Sequence, residues 1–268
     1  MSHTYSIDDL RYLMSRLRDS ETGCPWDIKQ TFQTLAPCTV EEVYEVVDAI
    51  ERSDMEHLSE ELGDLLFQII FYSQLGAEDT SFDWDTIVSG ITEKLIRRHP
   101  HVFPDGTLLS VRSPDLFFDL KAINKQWEET KKRERAHKGE DGVLADIPLA
   151  MPALNRAQKL QKRASSVGFD WIDPKDVVAK VKEEIAELEV EITRGDKAAM
   201  EDEMGDLLFS CVNLARHLSV DPEKAMRSAN NKFKRRFEAM ESLASGERLG
   251  GMSVDDLESL WCAVKARE

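Results

Sequence analysis

Apolar positions recur every three to four residues along most of the chain, the period of a helix with one face turned inward. Leu10, Leu13, Met14 and Leu17 form the first such stripe, and the turn GCPWD at residues 23–27 interrupts it. A second helix is expected from Thr39, with Thr39 as N-cap and Glu42 three residues on in a capping-box arrangement, ending near Arg52–Asp54. A third runs from about Met55 to Gln74, and its segment LGDLLFQIIFYSQL is apolar almost all round, as the central helix of a bundle is. A fourth covers Trp84–Arg98 and stops at His99-Pro100, because a residue before proline is pushed out of the helical region. Further helices are expected from Leu154, near Pro174–Arg194, near Ala198–Leu218 and near Pro222–Ser245. No sustained alternation of β-branched residues marks a strand. The expected fold class is all-α, built from tandem four-helix-bundle-like domains.

The tandem arrangement rests on an internal repeat. EEVYEVVDAIERSDMEHLSEELGDLLF, from Glu41 to Phe67, aligns without a gap on EEIAELEVEITRGDKAAMEDEMGDLLF, from Glu183 to Phe209, with 12 of 27 positions identical. Six identities are acidic, Asp54/Asp196 between the helices and five at the matched spacing of interest: Glu41/Glu183, Glu42/Glu184, Glu45/Glu187, Glu61/Glu203 and Asp64/Asp206. Lys94 and Arg98 recur as Lys232 and Arg236, and Trp127 and Lys131 as Trp261 and Lys265. Thr92 stands where the second half has Asn230. A charged helix, LKAINKQWEETKKRERAHK, precedes the break GEDGV at Gly139–Val143, so the domains are expected at 1–138 and 145–268.

Composition narrows the function classes. With 41% hydrophobic residues the chain can form real cores, and its formal charge of −16 disfavours direct binding to nucleic-acid backbones. No stretch approaches the roughly 18–20 apolar residues that a membrane span needs. The four cysteines match no metal or redox spacing, and a reducing cytoplasmic setting is expected.

The acids carry the candidate chemistry. Glu41 and Glu45 are i,i+4, Glu42 and Glu45 are i,i+3, and Glu61 and Asp64 are i,i+3 on the next helix, so each set shares a face. A short linker packs the two helices antiparallel and lets the carboxylates converge in the groove between them. Convergence is costly unless a cation or protons neutralise the charge. All-carboxylate clusters suit hard, oxygen-preferring ions such as Mg²⁺, with Mn²⁺ as a substitute. Zinc is disfavoured because no His or Cys is found at ligand spacing near the acids; a di-iron bundle site needs Glu-x-x-His pairs, and none occurs, since His57 directly follows Glu56 and the second copy has Ala199 in its place. Lys232 and Arg236, i,i+4 on another helix, suit a phosphate tail or a salt-bridged surface equally. Trp261 could stack on a ring, but from the sequence alone capping the core is the expected role.

The pairs EEVYE with ELGD and EEIAE with EMGD, together with GCPWD, RRHPHVF, RAQKLQKRA, VGFDW and NNKFKRRF, resemble the two-domain bacterial form of the MazG family of nucleoside triphosphate pyrophosphohydrolases over essentially the whole chain. The resemblance implies an all-α pyrophosphatase fold, a homodimer, and Mg²⁺-dependent cleavage of nucleoside triphosphates at the α–β bond to monophosphate and pyrophosphate. It implies Glu184, Glu187, Glu203 and Asp206 as metal ligands or nearby acids, with Glu183 in the same shell. It also implies phosphate contacts from Lys232, Arg236 and Lys265, a nucleotide-side place for Trp261, and Asn230 as part of a substrate-binding Asn-x-Lys pattern. The resemblance puts catalysis in the C-terminal domain. One of Glu183, Glu184 and Glu187 is expected to take the proton of the attacking water. Glu41, Glu42, Glu45, Glu61, Asp64, Lys94 and Arg98 form a possible second site. A pyrophosphatase narrow for one nucleotide and a non-catalytic scaffold are the alternative readings.

Overall fold

The computed structural model describes residues 4–115, 119–137, 142–244 and 249–267. These residues form two compact units, Met1–Lys131 and Lys132–Glu268. Among the described residues there is no strand. The GEDGV break expected at the domain boundary lies mostly outside them.

The first unit contains α1 (Ile7–Leu17), α2 (Pro25–Ile28), α3 (Phe32–Arg52), α4 (Met55–Glu78), α5 (Trp84–Arg98) and the start of α6 (Leu120–His137). Side-chain caps begin most of them: Ser6, Thr31, Asp54 and Asp83 each accept from a backbone N–H of the first turn of α1, α3, α4 and α5. Met14 of α1, Leu35 of α3, and Ile70, Phe71 and Leu75 of α4 make the buried core. Gly23 lets the GCPWD turn close, since a Cβ there would lie 2.4 Å from the Leu17 carbonyl oxygen. Arg18 then ties the turn to α4. Its Nε and Nη2 donate to Glu78 at 2.9 and 2.6 Å, its Nη1 donates to the Asp27 carbonyl, and its guanidinium lies 5.4 Å from the Phe71 ring centre.

The expected start of α3 is corrected. The helix begins two turns before Thr39, capped by Thr31, and carries Pro37 inside it. Proline costs a helix one hydrogen bond and a steric clash, but burial of Leu35 and the packing of Phe32 against the core hold these turns helical. Thr39 is not a cap: its hydroxyl donates back to the Leu35 carbonyl at 3.1 Å and lies 2.8 Å from the Tyr72 hydroxyl.

The second unit contains α7 (Ala153–Ser165), α8 (Pro174–Arg194), α9 (Lys197–His217), α10 (Pro222–Leu243), a short 3₁₀ turn and α11 (Val254–Lys265). α8 and α10 open with proline directly after a capping aspartate, Asp173 and Asp221, where the missing N–H costs nothing. Val177 and Leu188 of α8, Val212 of α9, Met240 of α10 and Val264 of α11 are buried. The loop-to-helix tie is built from the other side here: Arg216 and His217 of α9 hold Asp170 of the VGFDW turn, with His217 Nε2 3.0 Å from the carboxylate.

The acid-bearing helices pair in the same way in both units, α3 along α4 and α8 along α9. Each pair is joined by one left-handed residue and one capping aspartate: Ser53 (φ 57°) with Asp54, and Gly195 (φ 73°) with Asp196. Parts of the apolar run stay about half exposed: Leu62 and Ile69 in the first unit, Leu208 and Phe209 in the second.

Candidate metal centre

The acids predicted from the repeat converge in both units. Carboxylate oxygens of Glu184, Glu187 and Glu203 lie within 4.8 Å of one another in the second unit, and those of Glu42, Glu45 and Glu61 do so in the first. In each triad two acids come one helical turn apart from the first helix of the pair, and the third crosses the groove from the second. Glu184 is only 4% exposed and Glu61 only 7%, so each cluster has a buried floor and an open top. Asp206 and Asp64 stand beside the triads rather than in them, close enough to push up the pKa of Glu203 and Glu42 respectively. Glu183 is exposed, and Lys180 pairs with it.

Electrostatics mark both clusters as short of positive charge. In the second unit, desolvation raises the pKa of Glu203, and Glu187, Glu184 and Asp206 raise it further. Glu187 is also raised, by desolvation first, with the Lys180 charge opposing and Glu184 adding to the rise. In the first unit Glu42 is raised by desolvation, then by Asp64 and Glu45, with a Gln68 amide contact acting against the rise. Lys180 answers part of the charge in the second unit: its Nζ lies 2.9 Å from both Glu183 and Glu184, and those bonds raise its own pKa. The donor set is oxygen-rich, anionic and open on one side, which fits a hard divalent ion that keeps room for water and phosphate oxygens.

A second group of predicted residues gathers on α10 and α11. The Arg236 guanidinium lies 5.7 Å from the Trp261 ring centre, and the Phe233 ring centre lies 5.5 Å from it. The first unit repeats this with Arg98 5.6 Å from Trp127, and with His99 edge-on to that ring at 4.8 Å. Trp261 is half-buried, so it is neither a core residue nor fully free. Asn230, Lys232 and Lys265 are exposed on the same two helices.

His57 meets one of these acids, its Nε2 3.0 Å from Glu61 Oε1 one turn along α4, but among the described residues the two groups of converging ligand atoms consist of glutamates alone.

The model of the MazG nucleotide pyrophosphohydrolase domain matches residues 30–103 and 173–240, the segments that carry the two acid clusters. The chain belongs to the MazG family. It is similar along its length to two curated MazG-type proteins. The nucleoside triphosphate pyrophosphohydrolase of Escherichia coli K12 is 48% identical over 98% of both chains. The nucleoside triphosphate pyrophosphohydrolase/pyrophosphatase MazG of Thermotoga maritima is 41% identical over 97% of this chain and 95% of its own. The repeat is thus a pair of MazG domains, and the chain is a MazG-type nucleoside triphosphate pyrophosphohydrolase with a divalent-metal requirement. Among the described residues, no helix is long and apolar enough to cross a membrane.

Proposed function

We propose that the second unit is the catalytic one and that it takes Mg²⁺, hydrolysing nucleoside triphosphates of several bases at the α-phosphorus to monophosphate and pyrophosphate. The observation that carries this reading is the buried Glu184 with the oxygens of Glu187 and Glu203 gathered around it. These three residues would hold the ion, with Asp206 beside them. The bound ion would screen the triphosphate and polarise the scissile bond.

The protein's own groups supply the rest. One of Glu183, Glu184 and Glu187 would take the proton of the attacking water. Lys180 holds Glu183 and Glu184 in place from the preceding turn of α8. Arg236, its guanidinium 5.7 Å from the Trp261 ring centre, offers a planar fork to phosphate oxygens, with Lys232 and Lys265 as point charges. Trp261 gives the base an aromatic face, a contact indifferent to base identity, which supports breadth rather than selectivity. Asn230 adds a polar contact on the same helix as Lys232.

The half-exposed apolar positions Leu208 and Phe209, beside the acids on α9, support a homodimer that covers them. The two domains are proposed to extend over 1–138 and 145–268.

Product analysis tests the reaction. The purified chain is incubated with each common ribo- and deoxynucleoside triphosphate, with Mg²⁺ or with chelator, and products are separated by anion exchange. Monophosphate plus pyrophosphate, abolished by chelator, is expected from most bases. Diphosphate plus phosphate would mean that another phosphorus is attacked and would overturn the assignment.

A further inference from the structure

α8 carries a lysine at the edge of its own acid cluster. Lys180 stands one turn before the acids, and its Nζ lies 2.9 Å from both Glu183 Oε1 and Glu184 Oε1. The lysine side chain is two-thirds buried, and that of Glu184 almost wholly so. The charge also reaches Glu187, where it opposes the rise in that carboxyl's pKa. One ammonium thus acts on two of the three acids whose oxygens converge.

An ordinary helix-surface pair does not account for this. Lysine ahead of glutamate at i,i+4 is the weaker of the two orientations, and exposed pairs contribute little to stability. Nor does helix pairing require the lysine. The first unit packs α3 along α4 with the same five acids and has Cys38 at the matching place. What the lysine does change is the charge that an ion meets. Lys180 already holds one oxygen of Glu184, and two positive charges drawn to one carboxyl group repel each other. Water screens that repulsion poorly where the groups are partly buried. A nucleoside triphosphate shifts the balance, because its phosphate oxygens bring negative charge and further oxygen donors to the ion.

We propose that Lys180 is a positioning residue that links metal uptake to substrate: it neutralises Glu183 and Glu184 in the free chain and holds down the affinity for a bare dication, so that the ion is retained together with a nucleoside triphosphate. The inference rests on the reading that Glu184, Glu187 and Glu203 hold the ion. It requires no contact between the lysine and the substrate. Two consequences follow. Without an ion, the buried Glu184 keeps a partner, so the groove stays ordered while empty. Without substrate, a bare ion has to displace the ammonium or tolerate it, so the centre does not collect ions from solution.

Metal binding tests this apart from turnover. The full chain, with the first unit's acids silenced by Glu42→Gln and Glu45→Gln, is titrated with Mn²⁺ by electron paramagnetic resonance. The titration is run alone and with an α,β-methylene nucleoside triphosphate, which is not cleaved at that bridge, and is corrected for Mn²⁺ held by the analogue in solution. Mn²⁺ bound with the analogue and lost on Glu184→Gln is expected. If none binds, the metal reading fails and this inference with it. Lys180→Met keeps the apolar stem and removes the charge. It should tighten bare Mn²⁺ by about tenfold and shrink the gain from the analogue by a similar factor. Lys180→Arg keeps the charge and should leave the bare affinity within about twofold of the original. Lys180→Gln provides a second removal of charge should methionine disturb the fold. If the centre binds Mn²⁺ but both neutral variants leave the bare affinity unchanged or weaken it, the metal reading stands and the proposal is overturned, with Lys180 reduced to a brace for Glu184.

Discussion

Glu184→Gln separates the metal role of the cluster from a role in folding. The substitution keeps the size of the side chain and removes its charge. In the metal-free protein it deletes one close attraction, Lys180 at 2.9 Å, and two longer repulsions, from the Glu187 and Glu203 oxygens within 4.8 Å. These changes oppose each other, and Lys180 keeps its bond to Glu183. Metal-free stability should therefore stay close to its original value. The difference appears when metal is added. An ion at about 100 times its Kd stabilises the native state by about 2.7 kcal/mol. For a unit of this size that corresponds to a rise in Tm on the order of 10 °C. The variant should lose most of that rise. Its turnover should fall by about 10²–10³-fold, as when one preorganised electrostatic group is deleted. Calorimetric scans with and without Mg²⁺, set beside steady-state rates, measure all three quantities. A variant that kept the Mg²⁺-dependent rise, or that turned over at the original rate, would refute the assignment. One that melted early without metal would show that Glu184 serves the fold instead.

Four further outcomes follow from contacts described above. Arg18→Ala should destabilise the first unit by about 2 kcal/mol in urea unfolding, below the usual cost of breaking a buried pair because Glu78 can still reach water. Asp170 is held below the ordinary carboxylate range by Arg216, against a smaller opposing effect of burial. Its native state thus binds fewer protons than the unfolded chain, so the tie contributes fully above the unfolded pKa and is lost as pH falls through the native one; Arg216→Gln should lower the urea midpoint at pH 7 and flatten its decline in acid. Ser53→Gly should stabilise the first unit by about 0.5–1 kcal/mol, since the left-handed cost of a side chain is about 1–2 kcal/mol and glycine's extra unfolded-state freedom offsets part of it; a chevron or urea curve reads the sign directly. Arg236→Lys should raise KM for triphosphates by about tenfold while leaving helical content unchanged, because a lysine neither stacks on Trp261 nor offers a fork.

Much of this was legible in the sequence because helices announce themselves twice, by periodicity and by their ends. α5 and α8 run where the pattern placed them, closed by His99-Pro100 and opened by Asp173-Pro174. The start of α3 was illegible because Pro37 reads locally as a stop. What overrides it is tertiary: Leu35 and Phe32 reach a core formed by α1 and α4, which no window around Pro37 contains. The convergence of the acids was legible because spacing and repetition together fix a face. Membership of the triads was not. Whether Asp64 or Glu61 completes a triad depends on how α4 is rotated against α3, and that rotation is set by packing.

The two-residue link between each pair of acid-bearing helices has a consequence for how such a chain can change. Ser53-Asp54 and Gly195-Asp196 leave little slack. Each residue of a helix turns the chain by about 100°. A single residue inserted in α4 between its cap and Glu61 would swing Glu61 and Asp64 out of the groove, while Glu42 and Glu45 stayed behind. Substitutions on the outer faces and longer loops between units leave the clusters intact, but one insertion or deletion here splits a cluster into two halves that no side-chain change can reunite. The spacing from link to acid is therefore fixed by counting, and the equal count in both units follows from that geometry as well as from common descent.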